Sequence, residues 1–323
     1  MLAFAAARAR QTAIVAVFVT SLAFMLIHLA PGDPLATSLD ESPELTIARE
    51  ALRTEYGLDR PLYVQYPVMV GNMLRGRFGI SFSQSRPVSE VLATVMPRTI
   101  LLMAPALLIG VLVGTALGTW QGARAGRLFD RLANGATLGV LAIPEFVLAL
   151  LVATIFGVRL RWFPATGMMD AGAVHVSWLA MAGDVARHAT LPVATLAAVI
   201  ASMVARYQRA AVIEALREDF VRAARARGAP ELRVLFRHVL RRTAGSLLTV
   251  VGLLFPVLVG GAALVELVFS WPGAGSALLG AVLARDYPLV IALVLVGSVA
   301  VSIGSAIADI AGARANPATS AIG

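Results

Sequence analysis

Twenty-two consecutive residues, Thr99–Trp120, carry no charge, and nothing else in the chain constrains its fold as much. About 20 apolar residues in a helix span the hydrocarbon core of a bilayer, where each backbone polar group must be satisfied within the segment. The pattern recurs. Gln11–Ala30 has only His28 as a titratable group, and Leu132–Val158, Ala189–Ala205, Ala244–Val265 and Tyr287–Ala308 are further apolar runs. Over the whole chain 58% of residues are hydrophobic and 14% charged, against about 25% charged in a soluble domain. The expected fold is all-α, a membrane protein with six transmembrane helices.

Charge orients the spans. Arg206–Arg242, RYQRAAVIEALREDFVRAARARGAPELRVLFRHVLRR, lies between two apolar runs and sets ten arginines against Glu214, Glu218, Asp219 and Glu231. Short loops this basic stay in the cytoplasm. Val212, Leu216, Phe220, Ala223 and Ala224 recur at helical spacing, Gly228-Ala229-Pro230 stops the helix, and Leu232, Leu235, Phe236 and Val239 mark a second one. This predicts a helix–turn–helix with a small-residue surface at Ala223, Ala224, Ala226 and Gly228, a docking element for a cytoplasmic partner. Arg124, Arg127 and Arg131 mark another inner turn, which with six spans puts both termini inside.

The first apolar run is longer than the 7–15 residues of a signal-peptide core, and Pro31-Gly32-Asp33-Pro34 makes a poor cleavage region, so an uncleaved span is expected. Asp33–Arg98 is an extracytoplasmic segment with short amphipathic helices predicted at Thr46–Tyr56 and Tyr63–Leu74. Its arginines are a mild departure from the charge rule, which weakens in long loops. Trp162, Pro164 and Trp178 suit the interface on the outer side, Trp271-Pro272-Gly273 reads as an outer turn, and Asp309–Gly323 as a polar tail. The expected division is residues 1–94 (first helix and outer amphipathic segment), 95–310 (five-helix core with the inner bend at 206–242) and 311–323 (cytoplasmic tail).

Several chemistries are excluded. There is no cysteine, hence no disulfide, thiolate ligand or cysteine nucleophile, and no lysine, hence no G-x-x-x-x-G-K-[ST] phosphate loop. The chain is not itself an ATPase subunit of that kind. The net charge of +8 follows from topology rather than from nucleic-acid binding. His28, His175, His188 and His238 are scattered without metal-ligand spacing, Met168-Met169 reads as a loop contact, and Gly79-Ile80-Ser81 lacks the closing glycine of a nucleophile turn, Ser83 standing there instead. Glu145, beside Pro144 in the third run, either lines a polar path or bonds to a neighbouring helix. For Glu266 and Asp309, near span ends, a local bond outweighs a path role. Gly110, Gly114 and Gly118 share one helix face suited to close packing. With no catalytic constellation, the pattern is that of the pore half of a pump whose energy arrives through another subunit.

The segment Arg217–Arg242, REDFVRAARARGAPELRVLFRHVLRR, resembles the cytoplasmic loop of permease subunits of binding-protein-dependent ABC importers, in the dipeptide/oligopeptide/nickel branch. LAPGDP (Leu29–Pro34), YGLDRPLYVQYPVMVGNMLRGRFGISF (Tyr56–Phe82), IPEFVLALL (Ile143–Leu151), VRLRWFPATG (Val158–Gly167) and VELVFSWPGAGSALLGAVLARDYPLV (Val265–Val290) are similar to that family in the same order. The resemblance implies a type I ABC importer permease fold and four kinds of partner: a homologous second permease, two cytoplasmic ATPase subunits that hold ATP and magnesium, an extracytoplasmic substrate-binding protein and the bilayer of a prokaryotic inner membrane. No cofactor or metal on this chain is implied. It places Asp219, Arg222, Ala223, Ala224, Arg225 and Gly228 at the ATPase-coupling motif. Glu145 and Glu266 are the candidates for the translocation path. Arg222 stands where the broad importer signature has Glu, Ser246 where a Pro is usual, and Ala315-Asn316-Pro317-Ala318 replaces the usual C-terminal ending. The expected cargo is a di- or oligopeptide; nickel or another small solute is the alternative within the family. An ion-gradient-driven carrier is the alternative outside it, expected to show inverted repeats and mid-membrane ion sites.

Overall fold

The computed structural model describes residues 2–29, 60–173 and 176–315. Thr46–Tyr56, the LAPGDP motif beyond Leu29, His175 and the tail from Asn316 lie outside them. The chain divides into two compact units, Met1–Arg98 with Ser276–Ser302, and Thr99–Gly275 with Ile303–Gly323.

The first unit begins with α1 (Leu2–Leu29) and α2 (Leu62–Leu74), the latter within one residue of the expected helix. Tyr66 of α2 meets α1 twice, through a hydroxyl hydrogen bond with Ser21 (2.5 Å) and an edge-on ring contact with Phe24 at 5.4 Å. A short antiparallel hairpin follows, β1 (Ile80–Ser81) with β2 (Arg86–Pro87), Ser81 opposite Arg86. Fully buried Asp286 ties this hairpin down. It accepts from the Ser81 hydroxyl, from the Ser83 hydroxyl (2.7 Å) and from the Ser83 backbone N–H (3.0 Å). Its other oxygen accepts from Leu289 N–H (3.3 Å), capping the helix that starts at Tyr287. Ser81 is thus a structural donor.

The remaining helices are α3 (Val88–Ala123), α4 (Leu128–Ala142), α5 (Glu145–Val152, extended by a π-helical turn over Ala153–Arg159), α6 (Trp178–Ala215), α7 (Asp219–Ala226), α8 (Leu240–Val268), α9 (Ala274–Leu283) and α10 (Tyr287–Ala315). Unit boundaries fall inside α3, α9 and α10. Among the described residues, Val88–Ala123, Trp178–Ala215 and Tyr287–Ala308 are straight, long and apolar enough to cross a membrane, and the number becomes five when two bent pairs are counted as single spans. Arg10–Leu22 is a shorter apolar helix. The chain is therefore a multi-pass helical membrane protein.

Three boundaries differ from expectation. The third span is not one kinked helix: α4 and the α5 stretch meet at 105°. Pro144 disfavours a helical backbone at the residue before it, and Ile143 is extended (φ −87°, ψ 127°), so the helix breaks rather than bends. The fourth span does not start at Ala189. It starts at Trp178, where the Ser177 hydroxyl accepts from Ala180 N–H (3.2 Å) and caps the helix, leaving Pro192 inside. The last helix runs past Ala308 to Ala315.

Within the second unit, α3 packs on α6 through glycine. A methyl placed on Gly110 would lie 2.7 Å from Ile200 Cβ, on Gly114 2.7 Å from Val204 Cβ and from the Ala201 carbonyl, on Gly118 2.8 Å from Gln208 Cβ, and on Gly122 2.7 Å from Val212 Cγ1. Both helices advance four residues per contact, a small-residue seam. The expected face thus extends one turn further, to Gly122. Leu196, Ile200 and Val204 of α6, Leu254, Leu258 and Ala262 of α8 and fully buried Phe269 and Trp271 fill the core.

Candidate functional site

The inner bend begins where α6 ends. Leu216 to Glu218 form a tight turn, and α7 follows with Asp219 in its first turn and Arg225 in its last, both signs favourable to the helix dipole. Eight residues make too short a helix to persist in water alone. Val221 and Ala224, 0% and 1% exposed, anchor it on a small apolar core of Val212, Ala215, Val234 and Val239. At its end Gly228 takes a left-handed backbone (φ +77°), with its N–H on the Arg225 carbonyl (2.9 Å) and Ala229 N–H on the Ala224 carbonyl (3.1 Å). The chain then re-enters the bundle through Glu231–Arg233 and a π-helical stretch, Val234–Val239, continuous with α8. The second helix expected here, over Glu231–Gly245, runs on into α8 and meets its Val250–Pro256 stretch at 52°.

Asp219, Arg222, Ala223, Arg225, Ala226 and Gly228 are exposed, whereas Ala224 is turned inward and does not belong to the small-residue surface. Arg222 pairs with Asp219 one turn back, and Arg225 grips Glu231 with two hydrogen bonds (2.8 and 3.0 Å), bracing α7 across the Gly228 turn. Such exposed pairs contribute little energy, so the apolar anchor holds the helix and the pairs hold its orientation.

Directly above the bend sits a polar cluster that the sequence pattern did not single out. Gln208, 1% exposed, donates both amide hydrogens, to Thr119 of α3 (3.1 Å) and to Thr243 of α8 (3.0 Å). The next residue, Arg209, makes a bidentate pair with Asp130 of α4 (2.6 and 2.8 Å), and Asp130 also accepts from Gly126 N–H (2.8 Å). Two consecutive residues of α6 therefore tie three other helices at the base of the bundle. The signal was a glutamine and an arginine directly after the apolar run, and one acid, Asp130, among Arg124, Arg127 and Arg131.

The two glutamates have different surroundings. Glu145 opens α5 after the break, and its carboxylate lies against Gly261 of α8, in the space a Cβ there would occupy. A pocket of about 10 Å³ beside it is lined by Leu196, Val199, Ile200, Met203, Leu254 and Leu258, and Glu145 makes no hydrogen bond among the described residues. Glu266 is fully buried. It accepts from the Thr99 hydroxyl (2.5 Å), which in turn accepts from Ala274 N–H (2.7 Å), and its carboxylate fills the space beside Gly273 and Gly275. This is a brace under the Trp271-Pro272-Gly273 turn. His188 contacts Asp184 on its own helix (3.0 Å), and among the described residues no group of three or more His, Asp or Glu could hold a metal ion.

The apolar spanning helices and the braced basic bend between two of them define a multi-pass membrane protein. Residues 92–320 match the family profile described as binding-protein-dependent transport system inner membrane component, and residues 1–103 that of the N-terminal region of such membrane components. Among relatives, the chain is 34% identical over 304 residues to the oligopeptide transport system permease protein AppB of Bacillus subtilis, covering 93% of both chains. It is 38% identical over 303 residues to the glutathione transport system permease protein GsiC of Salmonella typhimurium, again 93% of each. The chain belongs to the family of binding-protein-dependent transport system inner membrane components, as its motifs implied.

Proposed function

We propose that this chain forms one half of the translocation pathway of an ATP-driven importer of di- or oligopeptides, working with a homologous second permease, two cytoplasmic ATPase subunits and an extracytoplasmic binding protein. The names of relatives matched over nine-tenths of their length, one an oligopeptide and one a glutathione permease, support the cargo class. In this reading both termini are cytoplasmic, Asp219, Arg222, Ala223, Arg225 and Gly228 meet the ATPase, and Ala224 holds their helix to its base. Glu145 faces the path between subunits, and Glu266 supports the outer turn.

The observation that carries the reading is the build of the bend: a short helix with an exposed face, anchored by Val221 and Ala224 and set on the Gln208–Arg209 ties, so that force on α7 reaches four helices. Gly228→Trp tests it. Nothing lies within 4 Å of a Cβ added at Gly228, which is exposed, so the local cost of the substitution is backbone strain. In the assembled transporter the variant is expected to insert and assemble normally, and ATP hydrolysis is expected to lose its dependence on substrate-loaded binding protein while uptake falls at least tenfold. Normal uptake would overturn the coupling role.

A further inference from the structure

The first unit contains a groove of about 280 Å³ that transport by this family does not explain. One face of α2 forms its floor, with Val68, Met69 and Asn72 at helical spacing, and Phe24 of α1, Phe78, Phe82 and Ile291 of α10 complete an apolar wall. Phe24 lies near the end of α1 and Ile291 near the start of α10. The groove therefore opens where two apolar helices reach their ends, the depth at which lipid tails give way to headgroups. Outward positions of α1 beside it, Phe18 and Met25, are 66% and 54% exposed, as expected of a lipid-facing surface.

Arg77 is the one charged residue among the described residues lining the groove. The chain turns at Gly76 (φ +74°), and Arg77 N–H bonds the Asn72 carbonyl (2.9 Å), which holds the residue at the groove's edge. Its side chain is exposed and makes no ion pair or hydrogen bond among the described residues. Asp286, the carboxylate that holds the neighbouring hairpin, is fully buried and occupied by Ser81, Ser83 and Leu289.

We propose that this groove binds an anionic phospholipid, its acyl chain against Phe24, Met69 and Phe78 and its phosphate on Arg77. The volume is near the lower end of small-molecule pockets, roughly 300 Å³, enough for part of one tail and too small for a folded peptide. A guanidinium suits a phosphate, to which it can donate two parallel hydrogen bonds.

The chain has no cysteine, so Val68→Cys, at a half-exposed lining position, accepts one thiol-reactive fluorophore. The labelled transporter is reconstituted in nanodiscs with a few per cent of tail-brominated phosphatidylglycerol or phosphatidylcholine, and quenching is read. We expect about fivefold stronger quenching by the anionic lipid, the effect of one cation at a membrane surface. Arg77→Gln is expected to abolish that preference and Arg75→Gln, exposed but outside the groove, to preserve it. Met69→Trp, which fills the groove, is expected to abolish quenching by both. Equal quenching by the two headgroups, a preference that survives Arg77→Gln, or one lost equally in Arg75→Gln would overturn the proposal. So would a change of fluorescence with inorganic phosphate alone, which would make the groove a free-anion site.

Discussion

The glycine seam between α3 and α6 makes a prediction whose sign depends on geometry. Alanine in place of glycine inside a helix is ordinarily stabilising by up to about 1 kcal/mol, because the unfolded chain loses freedom. Gly135 of α4 has nothing within 4 Å of an added Cβ, so Gly135→Ala is expected to keep that gain. Gly114 has no such freedom. Its added Cβ would sit 2.7 Å from both Val204 Cβ and the Ala201 carbonyl oxygen, where ordinary contact begins at 3.4 Å, so the two helices must part by about 0.7 Å. Neither obstacle is the end of a flexible side chain. Overpacking of this kind costs about 1–3 kcal/mol, which leaves Gly114→Ala destabilised by about 1 kcal/mol net and separated from Gly135→Ala by about 2 kcal/mol. Equilibrium unfolding of the purified chain in mixed micelles, titrated with sodium dodecyl sulfate and followed by tryptophan fluorescence, reads that difference. Adding Gly118→Ala, one turn along and against the Ala205 carbonyl, should deepen the loss. If Gly114→Ala and Gly135→Ala unfold together, the seam is not close-packed and the account of α3 fails.

Two further outcomes follow from Asp130 and Glu145. Asp130→Ala strands Arg209 and the Gly126 N–H. A fully buried pair would cost about 3–5 kcal/mol to break, but the arginine is 30% exposed, so about 2 kcal/mol is expected by the same titration, with Asp130→Ala/Arg209→Met losing less than the sum of the single changes; strict additivity would show that the pair is not coupled. Glu145→Gln removes the titratable carboxyl group without changing shape and is expected to lower uptake of cationic peptides several-fold relative to neutral ones at unchanged assembly. An unchanged ratio in competition uptake would take Glu145 out of the path.

What could be read from the sequence was local. The uncharged run Thr99–Trp120 announces a spanning helix, and Gly110, Gly114 and Gly118 a packing face, because helical periodicity depends on neighbours four residues away. Gly228 followed by Pro230 fixes the end of α7 for the same reason. What escaped depends on partners far along the chain. Gln208 is an unremarked polar residue until Thr119 and Thr243, 89 and 35 residues distant, meet it. Glu266 reads as a span-end acid until Thr99, 167 residues away, closes on it. The inward turn of Ala224 could not be told from the outward turn of Ala223, since neighbouring alanines differ only in which side the rest of the loop covers. The prolines divide along similar lines: Pro144 breaks its helix, whereas Pro192 and Pro256 remain within theirs, a difference that no local pattern announces.

α6 runs without interruption for 38 residues, which is about 57 Å of helix against a hydrocarbon core of about 30 Å. Nearly half its length therefore stands clear of the oily layer. Pivoted at the midplane, such a rod tipped by only 5° carries each end sideways by about 2.5 Å, by the same helical rise. A nudge delivered at Ala215 would thus emerge near Trp178 at similar size and in the opposite direction, so a small stroke on one side of the membrane can shift a side chain's width on the other.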